Sequence, residues 1–209
     1  MTAMRVIRTL LIAVVLAFVA APAGADDANP AASAFLQSLG SQAIKELTNP
    51  AVPQSERQAR FRTLLDEHFD MGAIAKFTLG RYWRTATEEQ RTEFRQLFED
   101  FIVQSYSTRF ADYHGESFEV TGSANDENGT TTVHSTIEMP SSEDIRVDWR
   151  VRKTDGSFAI VDIVVEGVSM AVTQRSEFAS VIQSRGGVAG LLDALRAKNA
   201  QSADSSAAQ

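Results

Sequence analysis

Phe35, Leu36, Leu39, Ala43 and Leu47 recur at three- and four-residue steps, which places them on one stripe of a helix. Asn49-Pro50 and Pro53 end it. Ser55 stands three residues before Gln58, a capping-box spacing that predicts the start of a second helix with Phe61, Leu64, Leu65 and Phe69 inward. Asp70 caps a third helix carrying Met71, Ile74, Ala75 and Phe77, which stops near Gly80. Thr87 and Gln90 form another capping box, followed by the longest stripe of the chain: Phe94, Leu97, Phe98, Phe101, Ile102, Tyr106 and Phe110.

After Gly115 the period changes from 3.6 to 2. Phe118/Val120, Val133/Ile137/Met139 and Ile145/Val147/Trp149/Val151 read as strands, with Phe158 to Val165 as a central one, apolar on both faces except at Asp162. Asn128-Gly129 and Asp155-Gly156 are hairpin dipeptides, so the strands are expected to be antiparallel neighbours. Phe178/Val181/Ile182 and Leu191/Leu192/Leu195 then form two helical stripes, closed by Gly186-Gly187 and by Lys198. Helices, strands, helices is the α+β order. With Ile145, Val147, Trp149 and Val151 on one face and Arg146, Asp148, Arg150 and Arg152 on the other, the apolar face is expected to lie under the Phe-rich helix. A sheet curled under long helices either has a filled core or encloses a pocket, and periodicity does not decide between them.

The chain ends frame this domain. Arg5 and Arg8 precede an apolar run from Leu10 to Ala20, and Ala23-Gly24-Ala25 supplies the small residues a signal peptidase reads, so residues 1–25 are expected to be a cleaved export signal. An uncleaved anchor is the rival reading; no Cys follows for lipid attachment. Residues 26–34 read as a polar tether, 35–198 as a single domain and 199–209 as a disordered tail.

The net charge is −7 and becomes two units more negative once Arg5 and Arg8 are removed, which argues against a nucleic-acid partner and against adhesion to anionic lipid. The absence of cysteine excludes thiolate catalysis, disulfides and Cys-based zinc sites.

Candidate chemistry is sparse. Gly167-Val168-Ser169-Met170-Ala171 resembles a nucleophile elbow without its final Gly, but that elbow needs a parallel sheet and a His after the Ser. His68, His114 and His134 all precede Ser169 and lack metal-ligand spacing, so neither hydrolysis nor a metal or other cofactor is expected.

Gly80-Arg81-Tyr82-Trp83-Arg84, continuing as Thr85-Ala86-Thr87 and Gln90-Arg91, resembles a known pattern. Its continuation is Tyr113-His114-Gly115, Asp162, Glu166-Gly167-Val168-Ser169-Met170 and Arg175-Ser176-Glu177-Phe178. In order and spacing, from about Phe35 to Lys198, the chain resembles the MlaC family, the toluene-tolerance periplasmic phospholipid-binding proteins.

The resemblance implies a carrier, not an enzyme, that moves a glycerophospholipid across the periplasm and maintains outer-membrane lipid asymmetry. It implies two partners: an outer-membrane lipoprotein complex, and an inner-membrane ABC transporter reached through its membrane-anchored substrate-binding subunit. It also implies helices and a twisted antiparallel sheet enclosing an apolar lipid pocket. The expected wall is Phe98, Ile102, Tyr106, Val147, Trp149, Val151, Ile163, Val165, Val168 and Met170, with Arg81 and Arg84 as head-group candidates. A carrier of another apolar ligand, such as a hopanoid, and a ligand-free interaction module are the alternatives.

Overall fold

Asn29 accepts the Ala32 N–H on its side chain at 3.2 Å, and Pro30 takes the first helical position, where its missing N–H costs nothing. Helix α1 (Pro30–Leu47) therefore begins before the apolar stripe does. The computed structural model describes residues 27–110, 113–140, 142–154 and 156–207, so the leader reading lies outside the described residues.

The expected tether over 26–34 is corrected by this start. Asp27 bridges to Ser123, the Ala28 N–H donates to the Ser123 carbonyl at 3.1 Å, and the hydroxyls of Ser33 and Ser123 donate to the Asp27 carboxylate at 2.8 and 2.6 Å. Small polar side chains here cap α1 and tie the segment to Ser123, hydrogen bonding that a search for apolar stripes passes over.

Helix α2 (Gln54–His68) starts directly after Pro53 and has no side-chain cap, so the Ser55–Gln58 box does not form: the fixed φ of Pro53 starts the helix two residues earlier. Asp70 does cap α3 (Met71–Leu79), accepting the Ala73 N–H at 2.8 Å, and a 3-10 turn (Gly80–Arg84) follows. The Thr87–Gln90 box is reciprocal, with each backbone N–H held by the other's side chain at 3.1 and 3.2 Å, and it opens α4 (Glu88–Ser107). Phe110 falls in a short 3-10 turn after α4.

The sheet is a meander, β1 (Ser117–Asn125), β2 (Thr130–Glu138), β3 (Ile145–Thr154), β4 (Ser157–Val165) and β5 (Val168–Ser169), antiparallel throughout. Glu166 and Gly167 both have positive φ, as two-residue hairpin turns require, and Arg146 steadies Glu166 through its backbone N–H (2.6 Å) and guanidinium (3.0 Å).

Helix α5 (Met170–Ser184) ends at Gly186-Gly187, where the Gly187 N–H reaches the Ile182 carbonyl at 2.9 Å. Helix α6 (Val188–Ala207) continues past Lys198, which corrects the expected tail over residues 199–207. The cause is Asn199, buried against α4 and donating to the Leu97 carbonyl at 3.0 Å.

The layering also differs from the expectation. Helix α1 covers β1 and β2, and α2, α3 and α5 cover β4, whereas the Phe-rich α4 packs mainly on α6, α2 and α3. Two apolar clusters result. One joins Phe94, Phe98, Phe178, Leu191 and their neighbours on α3 to α6; the other joins Leu36, Leu47 and Leu64 to Val133, Val151 and Ile160 of the sheet. The molecule is thus an α+β fold of six helices, among the described residues, around a five-stranded antiparallel sheet.

Candidate functional site

Because α1, α2 and α3 hold α4 off the sheet, the space between the two clusters is unfilled. It forms a cavity of about 800 Å³. Sheet register sets one wall: Trp149 lies opposite Ile163, Ile145 opposite Ile137, and Ile137 opposite Phe118, all on the inward face. Facing them are Phe98, Phe101, Ile102 and Tyr106 of α4, with Leu36, Leu39 and Gly40 of α1 and Phe61 and Leu64 of α2. The indole N–H of Trp149 donates to the Ser135 hydroxyl at 2.9 Å, which in turn donates to the Val147 carbonyl at 2.8 Å, so the ring is fixed with its polar edge satisfied.

Phe98, Ile102, Tyr106, Trp149, Ile163, Val165 and Met170 all line the cavity. Val147 shares the inward row but is covered, and Val151 is sealed in the closed sheet cluster beyond the strand irregularity at Arg150/Val151, so neither lines the cavity. Val168 stands 53% exposed on β5, outside it, because the Glu166-Gly167 turn carries the chain away. Lining residues that the reading did not name include Phe61, Phe69, Met71, Ile74, Phe101 and Phe118, all of them members of the stripes that signalled their elements.

Arg109, Tyr113, Glu116 and Ser117, before and at the start of β1, and Gln174 and Glu177 of α5 add polar side chains to the lining, besides Thr48, Thr78, Asp162 and Thr173. Arg109 lies 5.5 Å from the centroid of the Tyr106 ring. The Glu116 carboxyl is held below its ordinary pKa by backbone N–H groups, first its own and then that of His114. Arg81 and Arg84 are not part of this lining. They are exposed on the 3-10 turn after α3, where Arg81 donates to the Tyr82 hydroxyl at 2.8 Å and pulls that phenol's pKa down. Position in the sequence beside an aromatic motif did not reveal which face the turn presents.

The remaining candidates have structural roles. Ser169 is the N-cap of α5, accepting the Val172 N–H at 3.1 Å, and its hydroxyl donates to Asp162 at 2.6 Å. His134 pairs with Asp148 at 2.7 Å on the solvent face of the sheet, the His68 ring packs its edge on Phe35, and His114 is exposed. Among the described residues no group of three or more His, Cys, Asp or Glu is placed to hold a metal.

This geometry has relatives. A phospholipid-binding protein from Ralstonia solanacearum, solved in complex with a phospholipid, superposes with a TM-score of 0.72 over 86% of this chain and 99% of that one, at 24% identity. The toluene tolerance protein Ttg2D of Pseudomonas putida is 23% identical over 106 residues, a match that spans 51% of this chain and about half (49%) of the length of that relative. The sequence profile of the family described as MlaC protein matches residues 37–197, and the chain belongs to the MlaC family.

Proposed function

We propose that the protein is a periplasmic carrier that encloses the two acyl chains of a glycerophospholipid and shuttles it between the outer and inner membranes, maintaining outer-membrane lipid asymmetry. The observation that carries this reading is the apolar cavity itself. Solvent in a largely apolar cavity of about 800 Å³ leaves hydrophobic side chains in contact with water, at roughly 25 cal/mol for each Å² of apolar surface. Total stability of a domain is only about 5–15 kcal/mol, so evolution retains such a space where something fills it.

Two acyl chains fit the chemistry. Their roughly thirty methylenes, each about the size of a water molecule at ~30 Å³, need on the order of 900 Å³. Leaving them in water would cost about 25 kcal/mol at ~0.8 kcal/mol each, so a carrier has to bury both. The polar side chains before β1 and on α5 suit the head group. Arg109 is the cation among the lining side chains, and it takes the place of Arg81 and Arg84 as the candidate phosphate contact. Among the described residues no helix is long and apolar enough to cross a membrane, so the reading gives the membrane steps to partners. These are an outer-membrane lipoprotein complex and the membrane-anchored substrate-binding subunit of an inner-membrane ABC transporter.

Organic extraction of the purified protein followed by mass spectrometry tests the reading. A diacyl phospholipid near one per protein is expected; a polycyclic lipid would make it a hopanoid-type carrier, and no lipid at all would sink the proposal.

A further inference from the structure

Helices α3 and α5 each turn one side to the cavity and another to solvent. On α5, Met170, Thr173, Gln174 and Glu177 line the cavity, while Val172 is 49% exposed one turn before Arg175 on the outward side. On α3, Met71, Ile74 and Thr78 line it, while Phe77 is 42% exposed. The two outward sides meet, because the Arg175 guanidinium lies 5.2 Å from the centroid of the Phe77 ring. Arg175 also rests on Gly80, where a Cβ would come within 2.8 Å of its Nε and where φ is +59°. Glycine at that position keeps the cation in place on the aromatic ring.

Lys76 and Arg81, the chain neighbours of Phe77 and Gly80, are exposed as well. Among the described residues, none of Lys76, Arg81 and Arg175 has a carboxylate within ion-pair distance, in contrast to Arg60, Arg62, Arg91, Arg146 and Arg196. Exposed apolar groups flanked by cations without an ion-pair partner match a surface of the opposite sign with an apolar centre. An anionic bilayer is the poorer complement, since it repels the molecule as a whole.

We propose that the outward face of α3 and α5, centred on Phe77, Val172 and Arg175, docks an acidic protein surface with apolar residues at its middle. The same two helices form the cavity wall, so a partner seated here bears directly on the enclosed space. The proposal takes the carrier reading as its setting, but docking itself does not require lipid.

The test places a photo-cross-linking amino acid at Phe77 in the full chain, with a control at the exposed Glu127 on the β1–β2 turn. The expected product is a single protein, identified by mass spectrometry, joined at an acidic surface and absent from the Glu127 control. Lys76→Glu should lower its yield at least tenfold while thermal unfolding and bound lipid per mole stay as in the wild type. Changing the contacted acid of that partner to Lys should restore the yield with Lys76→Glu. Products to lipid alone, yields indifferent to Lys76→Glu, or Phe77-dependent sedimentation with phosphatidylglycerol vesicles would each overturn the proposal. A lipid-free protein that still cross-links with this charge dependence would support the docking surface and refute the carrier reading.

Discussion

The hydroxyl of Ser169 donates to one carboxylate oxygen of Asp162 at 2.6 Å, and the other oxygen takes the Ala171 N–H at 3.0 Å. Together with the Val172 N–H on the Ser169 oxygen, this satisfies two of the free N–H groups at the start of α5 and ties the helix to β4. Arg150 holds Asp162 from the other strand at 2.9 Å. A serine that resembles a nucleophile in sequence is therefore a cap, with its hydroxyl proton given to a carboxylate and no imidazole beside it among its hydrogen-bond partners.

Ser169→Ala is accordingly expected to cost about 1 kcal/mol of stability, the usual loss of a helix cap, and to lower the melting temperature by roughly 2–4 °C. Denaturant unfolding and calorimetry measure this. An ester-hydrolysing activity that vanished with the substitution would contradict the assignment.

Arg57→Ala should be more damaging. The side chain is 4% exposed and donates to the carbonyls of Leu47 (2.8 Å), Asn49 (3.3 Å) and Val52 (3.1 Å), which caps the C-terminal end of α1 and organises the turn into α2. Removing it leaves buried acceptors unpaired next to the negative end of the helix dipole, at a cost of about 3 kcal/mol or more. Urea unfolding should show the loss in the midpoint; a shift no larger than that of an exposed Arg would refute the capping role.

The stability of the N-terminal anchor should depend on pH. Hydrogen bonds from Ser123 and Ser33 pull the Asp27 pKa below its ordinary value of 3.8. A carboxylate with a depressed folded-state pKa contributes its full stabilisation above the unfolded pKa and loses it as pH falls through the folded one. Protection of the Ala28 and Asn29 amides against hydrogen exchange should thus fall below about pH 4, and Asp27→Asn should remove that dependence. Equal acid sensitivity in the variant would place the effect elsewhere.

Which parts of this arrangement a sequence can convey follows from how far each signal reaches. Asp70 and the Thr87–Gln90 box act within one turn, so their spacing was sufficient; the same holds for the Gly186-Gly187 stop. Ser55–Gln58 had the spacing but lost to Pro53, a competing local constraint. The stripe from Phe94 to Tyr106 was legible as a helix, yet what it faces was not. The separation of α4 from the sheet is set by α1, α2 and α3, and no local period reports on distant elements. The cavity and the place of Arg109 on its lining depend on that separation.

Gly40 and Phe118 tune the width of the cavity. Both line it, and a Cβ at Gly40 would overlap the Phe118 ring, which itself packs edge-on against Trp149 with centroids 6.0 Å apart. Gly40→Ala should push the ring toward the enclosed space and shift the bound lipid toward shorter acyl chains, read by mass spectrometry of the extracted ligand. An unchanged chain-length profile would show that Phe118 yields in another direction.

A comparison of Ile163→Asp with Val151→Asp separates wall from core. Val151 is 1% exposed in the closed cluster beneath α1, so an aspartate there is buried without a partner and should cost about 4 kcal/mol or more, enough to unfold much of the protein. Ile163 is on the cavity wall opposite Trp149, where a carboxylate can take up water once the space is solvated. Its chief effect should be on the ligand: lipid per mole falls several-fold, while the melting temperature stays within a few degrees of that of the lipid-stripped wild type. Stripping the wild type should itself lower the melting temperature, because a ligand present at about a hundred times its Kd adds roughly 2.7 kcal/mol to folding. Thermal unfolding of all three proteins, with and without lipid, carries the decision. If Ile163→Asp unfolds as readily as Val151→Asp, or if stripping leaves the wild type unchanged, the space behaves as ordinary core and the carrier reading fails.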